Sequence, residues 1–256
     1  MQALHTQIRV IRALVLRETR TRFGQHRLGY VWALIEPATM IATFATMYFL
    51  AGRTAKGSIP ILPFLTTGFL TYGLFSTTTR QCVNAINGNK GLLFYPDIRP
   101  LDLVAARVLL ETVTTFVVFA VMMGGVALWE GRLRIDNILT TLLGLLLASG
   151  LGAGLGLVLC GLTTFSNVVD RIHGPLFKPL FWISVLFFST NDLPSNVRDI
   201  FIWNPILHAV ELTRTGWFPG YDIPQVNALY PAAWIMVLLF FGLTLERVAR
   251  RRLELT

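Results

Sequence analysis

Apolar residues run along this chain in long blocks separated by short polar breaks. A helix that crosses about 30 Å of hydrocarbon needs about 20 mostly apolar residues. Residues 31–50 form a first such block, and 59–79, richer in Thr and Gly, a weaker second. Residues 103–129 and 138–164 are long and clear, whereas 176–190 and 230–245 are short. The breaks at 52–58, 84–100, 130–137 and 165–174 collect charges and turn formers. Ahead of the first block, Leu4, Ile8, Ile11 and Val15 share one helical face over 4–23, with Arg9, Arg17 and Arg20 projecting from the other side. That pattern predicts an amphipathic helix in the headgroup layer, either a topology anchor or a lever to a cytoplasmic partner. The expected fold is all-α: one polytopic membrane domain over 1–256 with six transmembrane helices and this N-terminal interfacial helix.

Composition agrees with the pattern. AVILMFWYC account for 54% of the 256 residues and DEKR for 14%, with a mean hydropathy of +0.59. Soluble domains carry about 25% charged residues, so a soluble enzyme, a disordered chain and a nucleic-acid-binding domain are all disfavoured. The net charge of +8 is distributed rather than patched. Sixteen of the 22 Lys and Arg fall in 1–30, 80–107, 165–178 and the tail from Arg247, and six in 52–60, 130–137 and 190–230. The positive-inside rule then places both termini in the cytoplasm and 191–229 outside. The N-terminal arginines interrupt any apolar core of about 7–15 residues, so a cleavable signal peptide is not expected.

Chemistry-bearing motifs are sparse. His5, His26, His173 and His208 show no HExxH-like spacing, Cys82 and Cys160 stand far apart, and GxxxxGK[ST] is absent. The chain itself is therefore not expected to act as an enzyme, to bind nucleotide through a P-loop, or to hold a metal or cofactor. Gly144, Ala148, Gly152, Gly156 and Cys160 recur every four residues. Such a small-residue stripe serves close helix packing within the chain or contact between subunits. Two carboxylates lie inside apolar blocks, where charge is costly and invites a functional reading. Glu36 is placed to pair with an arginine near the cytoplasmic face, and Glu111 with Arg107 at i−4.

Three segments resemble a known family. Leu28-Gly29-Tyr30-Val31-Trp32-Ala33-Leu34-Ile35-Glu36-Pro37 is similar to the opening of the first span in permease subunits of capsule-polysaccharide ABC exporters, within the ABC-2 transporter class. Phe94-Tyr95-Pro96-Asp97-Ile98-Arg99-Pro100-Leu101-Asp102, with Ala106-Arg107 and Leu110-Glu111, resembles the first cytoplasmic loop, and Trp203–Arg214 the segment before the last span. The broader class often carries FPR-hydrophobic-LP in that loop; Pro96-Asp97-Ile98-Arg99-Pro100 departs from it, which favours capsule export over export of O-antigen or another lipid-linked glycan. The resemblance implies a homodimer in the bacterial inner membrane, each subunit docked on a cytoplasmic ATPase that binds ATP and Mg. It also implies polysaccharide as cargo, re-entrant helices within 191–229, and onward periplasmic or outer-membrane export components. A membrane-embedded glycan-assembly enzyme is a further alternative, but would show clustered polar catalytic residues; a gradient-driven transporter would show internal repeats.

Within this frame, residues 88–100 are the expected coupling segment. Leu92, Leu93, Phe94, Tyr95, Pro96, Asp97 and Arg99 form an apolar cluster with flanking charge where lipid is not expected, so it marks a partner site or a hairpin on the bilayer. Trp32, Tyr48, Tyr72 and Trp182, with Glu36, are candidates to line the polymer path, since aromatic faces grip sugar rings loosely; interfacial belts collect the same residue types. Residues 191–229 are too long and too apolar for a loose loop and predict a pair of short helices forming an external gate. Asn204 is placed to cap a helix beginning at Pro205, on which His208, Glu211 and Arg214 share a face, meeting either a passing hydroxyl or headgroups and water.

Overall fold

The computed structural model describes residues 2–23, 29–52, 55–56, 59–95, 98–131, 135–163, 165 and 169–253. Nine α-helices occupy most of them: α1 (Gln2–Phe23), α2 (Gly29–Leu50), α3 (Ile61–Val83), α4 (Pro100–Glu130), α5 (Ile138–Thr163), α6 (Val169–Trp182), α7 (Ser195–Phe201), α8 (Pro205–Trp217) and α9 (Leu229–Leu253). Two 3-10 segments, Asn87–Phe94 and Thr190–Asp192, and a ribbon pairing Ala55–Lys56 with Ile59–Pro60 complete the order. The chain is thus all-helical in architecture. Among the described residues, four helices are long and apolar enough to cross a membrane: Val31–Leu50, Pro100–Trp129, Ile138–Thr163 and Leu229–Val248.

Helix α3 falls outside that group because threonines lower its hydropathy, yet it is the most enclosed element of the fold. Five of its six threonines, all but Thr78, close on their own helix: Thr66 donates to the Leu62 carbonyl (2.8 Å), Thr71 to Thr67 (2.7 Å) and Thr79 to Phe75 (2.9 Å). Their hydroxyls therefore need no water, and a polar-looking helix can be buried.

The centre of the bundle is α5, packed on α3, α8 and α9. Its glycines make this possible. A Cβ at Gly144 would lie 2.6 Å from the Thr213 backbone nitrogen of α8, and one at Gly152 2.7 Å from the Phe75 carbonyl of α3. Gly150, Gly154 and Gly161 face Ile235, Leu238 and Leu245 of α9. The small-residue stripe thus serves packing within the chain. Numbers climb together along these contacts, so α5 and α9 run parallel; the Gly152–Phe75 and Gly156–Cys82 contacts make α3 parallel to them as well.

Two expectations are revised. Helix α6 ends at Trp182 instead of continuing through 190, and residues 183–188 form turns. Val185 takes φ +52, and the carbonyls of Val185, Leu186 and Phe188 are met by a side chain from α8 in place of another helical turn. The inward face of α1 is set by Leu14, which, flanked by Val10 and Val15, packs against Cys82, Ala85, Leu103 and Val104, while Ile8 is exposed. Polar bridges decide that rotation, because Arg17 donates to Asn89 (2.8 Å) and Glu18 pairs with Arg107 (3.1 Å). Arg107 thus reaches across to α1. The last helix continues beyond the expected 245 to Leu253.

Candidate functional site

Between α2, α3, α4 and α6 lies a cleft of about 480 Å³. It follows α3 from Phe69 to Arg80, about 16 Å at the helical rise. Its floor is apolar, with Leu70, Leu74 and Val118 from the bundle, and Glu36, Glu111, Arg80 and Lys178 are the charged residues at its walls. Three of the anticipated path residues, Glu36, Tyr72 and Trp182, meet here.

One wall is a continuous aromatic surface. Phe181 is centred 5.4 Å from Tyr72, 5.6 Å from Trp182 and 5.8 Å from Phe69. Behind these lining rings, Phe187, delivered by the turn after α6, stacks on Trp182 at 5.1 Å and meets Phe69 at 5.6 Å and Phe44 at 4.6 Å. Tyr72 gives its hydroxyl to the Phe177 carbonyl (2.8 Å), so it presents a ring face with its polar tip already satisfied. Tyr48 donates to the Phe187 carbonyl and supports this wall from behind. Trp32, 69% exposed, stands outside the cleft on α2.

The second group of anticipated residues lies on α8, beside the first turns of α3 and α5. Asn204 caps α8 by accepting from the Ile206 N–H (3.2 Å), and its amide donates to Ser184 Oγ (3.0 Å). His208 is buried with both ring nitrogens engaged, Nε2 at the Ile202 carbonyl (2.9 Å) and Nδ1 accepting from the Asn227 N–H (3.1 Å). Glu211 and Arg214 are wholly buried and 3.5 Å apart. Glu211 accepts from the Thr190 N–H (2.9 Å), the Thr190 hydroxyl (2.8 Å) and the Tyr221 hydroxyl (2.7 Å). Burial, then the adjacent Glu211 carboxylate, push the Tyr221 phenol above its usual range, which keeps it a donor. This face of α8 is directed into the protein rather than toward solvent.

The segment expected to couple to a partner forms a third region. It is a 3-10 helix kinked at Asn89, whose amide closes on the Ala85 carbonyl (3.1 Å). Leu92 packs toward Cys82 and Leu103, Tyr95 is 62% exposed, and Arg99 begins α4, its N–H held by Asp102 (2.9 Å). Gln7 of α1 donates to the same Asp102. Leu93 and Phe94 lie on the 3-10 helix, and Pro96 and Asp97 lie outside the described residues.

Sequence reasoning did not find Arg80 and Lys178 as cleft residues, having counted both only as topology charges. Phe69, Phe181 and Phe187 carried no signal beyond their apolarity. Thr190 and Tyr221, the partners of Glu211, are separated from it by 21 and 10 positions and leave no trace in helical periodicity.

Comparison with known proteins places these features in one family. The ABC-2 type transporter family profile matches residues 9–218. The chain is 35% identical over 239 residues to the polysialic acid transport protein KpsM of Escherichia coli, covering 93% of this chain and 92% of that protein. It is 29% identical over 248 residues to the capsule polysaccharide export inner-membrane protein CtrC of Neisseria meningitidis serogroup B, covering 95% and 92%. A capsule polysaccharide export inner-membrane protein of Haemophilus influenzae, BexB, is 27% identical over 255 residues, covering 99% and 96%. By the extent of these matches, and by its bundle of apolar helices, the chain belongs to the ABC-2 type transporter membrane family.

Proposed function

We propose that this chain is the permease subunit of an ATP-driven exporter that carries capsular polysaccharide, as a lipid-linked glycan, from the cytoplasm across the bacterial inner membrane. The carrying observation is similarity to a polysialic acid transport protein and to two capsule polysaccharide export inner-membrane proteins, over more than nine-tenths of both partners in each comparison. Two copies of the chain assemble, each docked on a cytoplasmic ATPase that binds ATP and Mg, and onward components receive the polymer in the periplasm. The chain spans the membrane six times with both termini cytoplasmic. The parallel run of α3, α5 and α9 supports this reading, since alternate spans of a six-span chain must point the same way.

In this reading α1 and the Asn87–Phe94 segment form the cytoplasmic face that meets the ATPase, tied by Arg17–Asn89 and Glu18–Arg107. Motion of the ATPase then reaches α4 directly through Asp102 and Arg107. The cleft is the polymer's passage along the subunit: the aromatic wall offers ring faces that sugar C–H groups slide over, while Arg80, Lys178, Glu36 and Glu111 meet hydrated or charged groups. Helices α7 and α8 are the re-entrant pair. The burial of α8 between α3 and α5 supports that placement, because polar groups at such depth must be satisfied within the protein.

Expression with its ATPase in an encapsulated strain deleted for its own permease tests the function. Surface polysaccharide returns if the reading holds; polymer retained in the cytoplasm despite stable insertion of both subunits refutes it.

A further inference from the structure

The turn after α6 is buried from Ser184 to Phe187. Val185 and Leu186 are fully enclosed, and Val185, a β-branched residue, holds φ +52. That region of backbone space is unfavourable for such a side chain and persists only when the surroundings impose it. The surroundings here are two side chains of α8. Arg214 Nη1 donates to the Val185 carbonyl (2.7 Å) and the Phe188 carbonyl (3.3 Å), and Nη2 to Leu186 (3.0 Å) and to Phe64 of α3 (3.5 Å). Its guanidinium carbon lies 3.7 Å from the centre of the Phe64 ring. Glu211 holds the next stretch through Thr190, and Tyr221 braces Glu211 from the following loop.

A planar guanidinium with a fixed fork of donors can serve several carbonyls at once; an ammonium cannot reproduce that geometry. Helix α3 is shaped for it: a Cβ at Gly68 would fall 2.6 Å from Arg214 Nη2. What this latch holds in place is Phe187, the residue inside the clamped turn that stacks on Trp182 and touches Phe69, Phe44 and Phe181. Glu211 and Arg214 sit outside the cleft lining, but the wall of the cleft hangs on them.

We propose that Arg214 and Glu211 are positioning residues: from α8 they clamp the turn at 183–190 and thereby set the aromatic wall, and so the width, of the cleft between α2, α3 and α6. The inference deepens the transport reading given above, on which its importance for polymer movement rests. The two sides of the membrane are linked by it, because a change in the 190–221 segment alters a passage lined by α3 and α6. The latch is not itself a grip on the polymer; its groups are spent on the protein backbone.

The test separates the latch from the transport reading by needing no polymer. In the full permease in lipid nanodiscs, with Cys82→Ala and Cys160→Ala as background, Thr77→Cys places a thiol on the cleft lining. Its rate of reaction with a small and a bulky maleimide reports cleft width. Hydrogen exchange over residues 185–190 reports the turn. Tyr221→Phe and Thr190→Val each remove one hydroxyl bond to Glu211 with little change of volume, and Arg214→Lys keeps the charge but not the fork. Each is expected to speed exchange at 185–190 by about two- to tenfold, the worth of one hydrogen bond. Each is also expected to change the ratio of bulky to small maleimide labelling, with exchange in α9 unchanged and Thr190→Ser behaving as the parent. Should Arg214→Lys not fold, the two hydroxyl variants decide. Unchanged exchange at 185–190 overturns the clamp; faster exchange with an unchanged labelling ratio overturns its control of the cleft.

Discussion

Glu18 of α1 and Arg107 of α4 form an ion pair of 3.1 Å, both side chains largely withdrawn from solvent, across a sequence separation that joins the first helix to the fourth. The same guanidinium donates to the Gln81 carbonyl at the end of α3 (2.8 Å). One cation therefore gathers three elements at the end of the bundle where the Asn87–Phe94 3-10 helix lies. This is a more specific device than an amphipathic helix resting on lipid, and it gives α1 a fixed address on the protein.

Breaking that address is expected to uncouple rather than unfold. A double-mutant cycle with Glu18→Gln and Arg107→Gln should give a coupling of about 1 kcal/mol in the stability of the purified permease. Each single variant should lower export while the ATPase still binds. Wild-type export from both singles would remove α1 from the transmission route.

Close packing along α5 predicts an asymmetry between glycines. Gly144→Ala introduces a Cβ 2.6 Å from the Thr213 backbone nitrogen and should cost about 1–3 kcal/mol, seen as a lower thermal midpoint in detergent. Gly125→Ala in α4 meets nothing within 4 Å and should be neutral or stabilising by about 0.5–1 kcal/mol. Equal midpoints for the two variants would contradict the arrangement of α5 against α8.

The legibility of these elements in the sequence follows from where their partners lie. Helices α4 and α5 are plain because a long apolar run needs no distant contact to declare itself. The turn at 183–188 is as apolar as a span, and local pattern therefore extends α6 through it; the bonds that end the helix early come from Asn204 and Arg214, about 20 to 30 residues further on and folded back. The cap at Asn204 was readable because its acceptor and donor are two residues apart. Glu36, Tyr72 and Trp182 could be named singly as path residues, but that they share one cleft depends on the packing of α2 and α6 on α3, which periodicity does not encode. Gly216 lets α8 touch the start of α5: its carbonyl accepts from the Asn137 N–H at 2.7 Å.

The raised Tyr221 phenol carries a pH dependence with a definite sign. The folded protein holds that proton to higher pH than the unfolded chain, whose tyrosine titrates near 10.0. The stability it contributes is complete below about pH 10 and is lost as pH rises toward the elevated folded value. Thermal midpoints measured from pH 8 to 11 should therefore fall more steeply above pH 10 for the parent than for Tyr221→Phe. Parallel curves would mean that the phenol is not held neutral by its surroundings.

The aromatic wall makes a prediction about transport alone. Phe181→Ala and Trp182→Ala each remove a ring face from the cleft, and each should reduce export by about two- to tenfold, the range of one aromatic contact. Trp32→Ala, on the exposed side of α2, should leave export near the parent level while weakening membrane anchoring at most slightly. Reversal of that order would place the polymer on the outer face of α2.

The central claim is that this chain moves polysaccharide only when an ATPase drives it. Inverted inner-membrane vesicles carrying the permease and its ATPase, supplied with the labelled lipid-linked polymer, measure that directly. The account predicts that polymer becomes protected from an added glycan hydrolase when ATP and Mg are present, and stays exposed without ATP or without either subunit. Protection that appears with the permease alone, or no protection with the complete system energised, would contradict it.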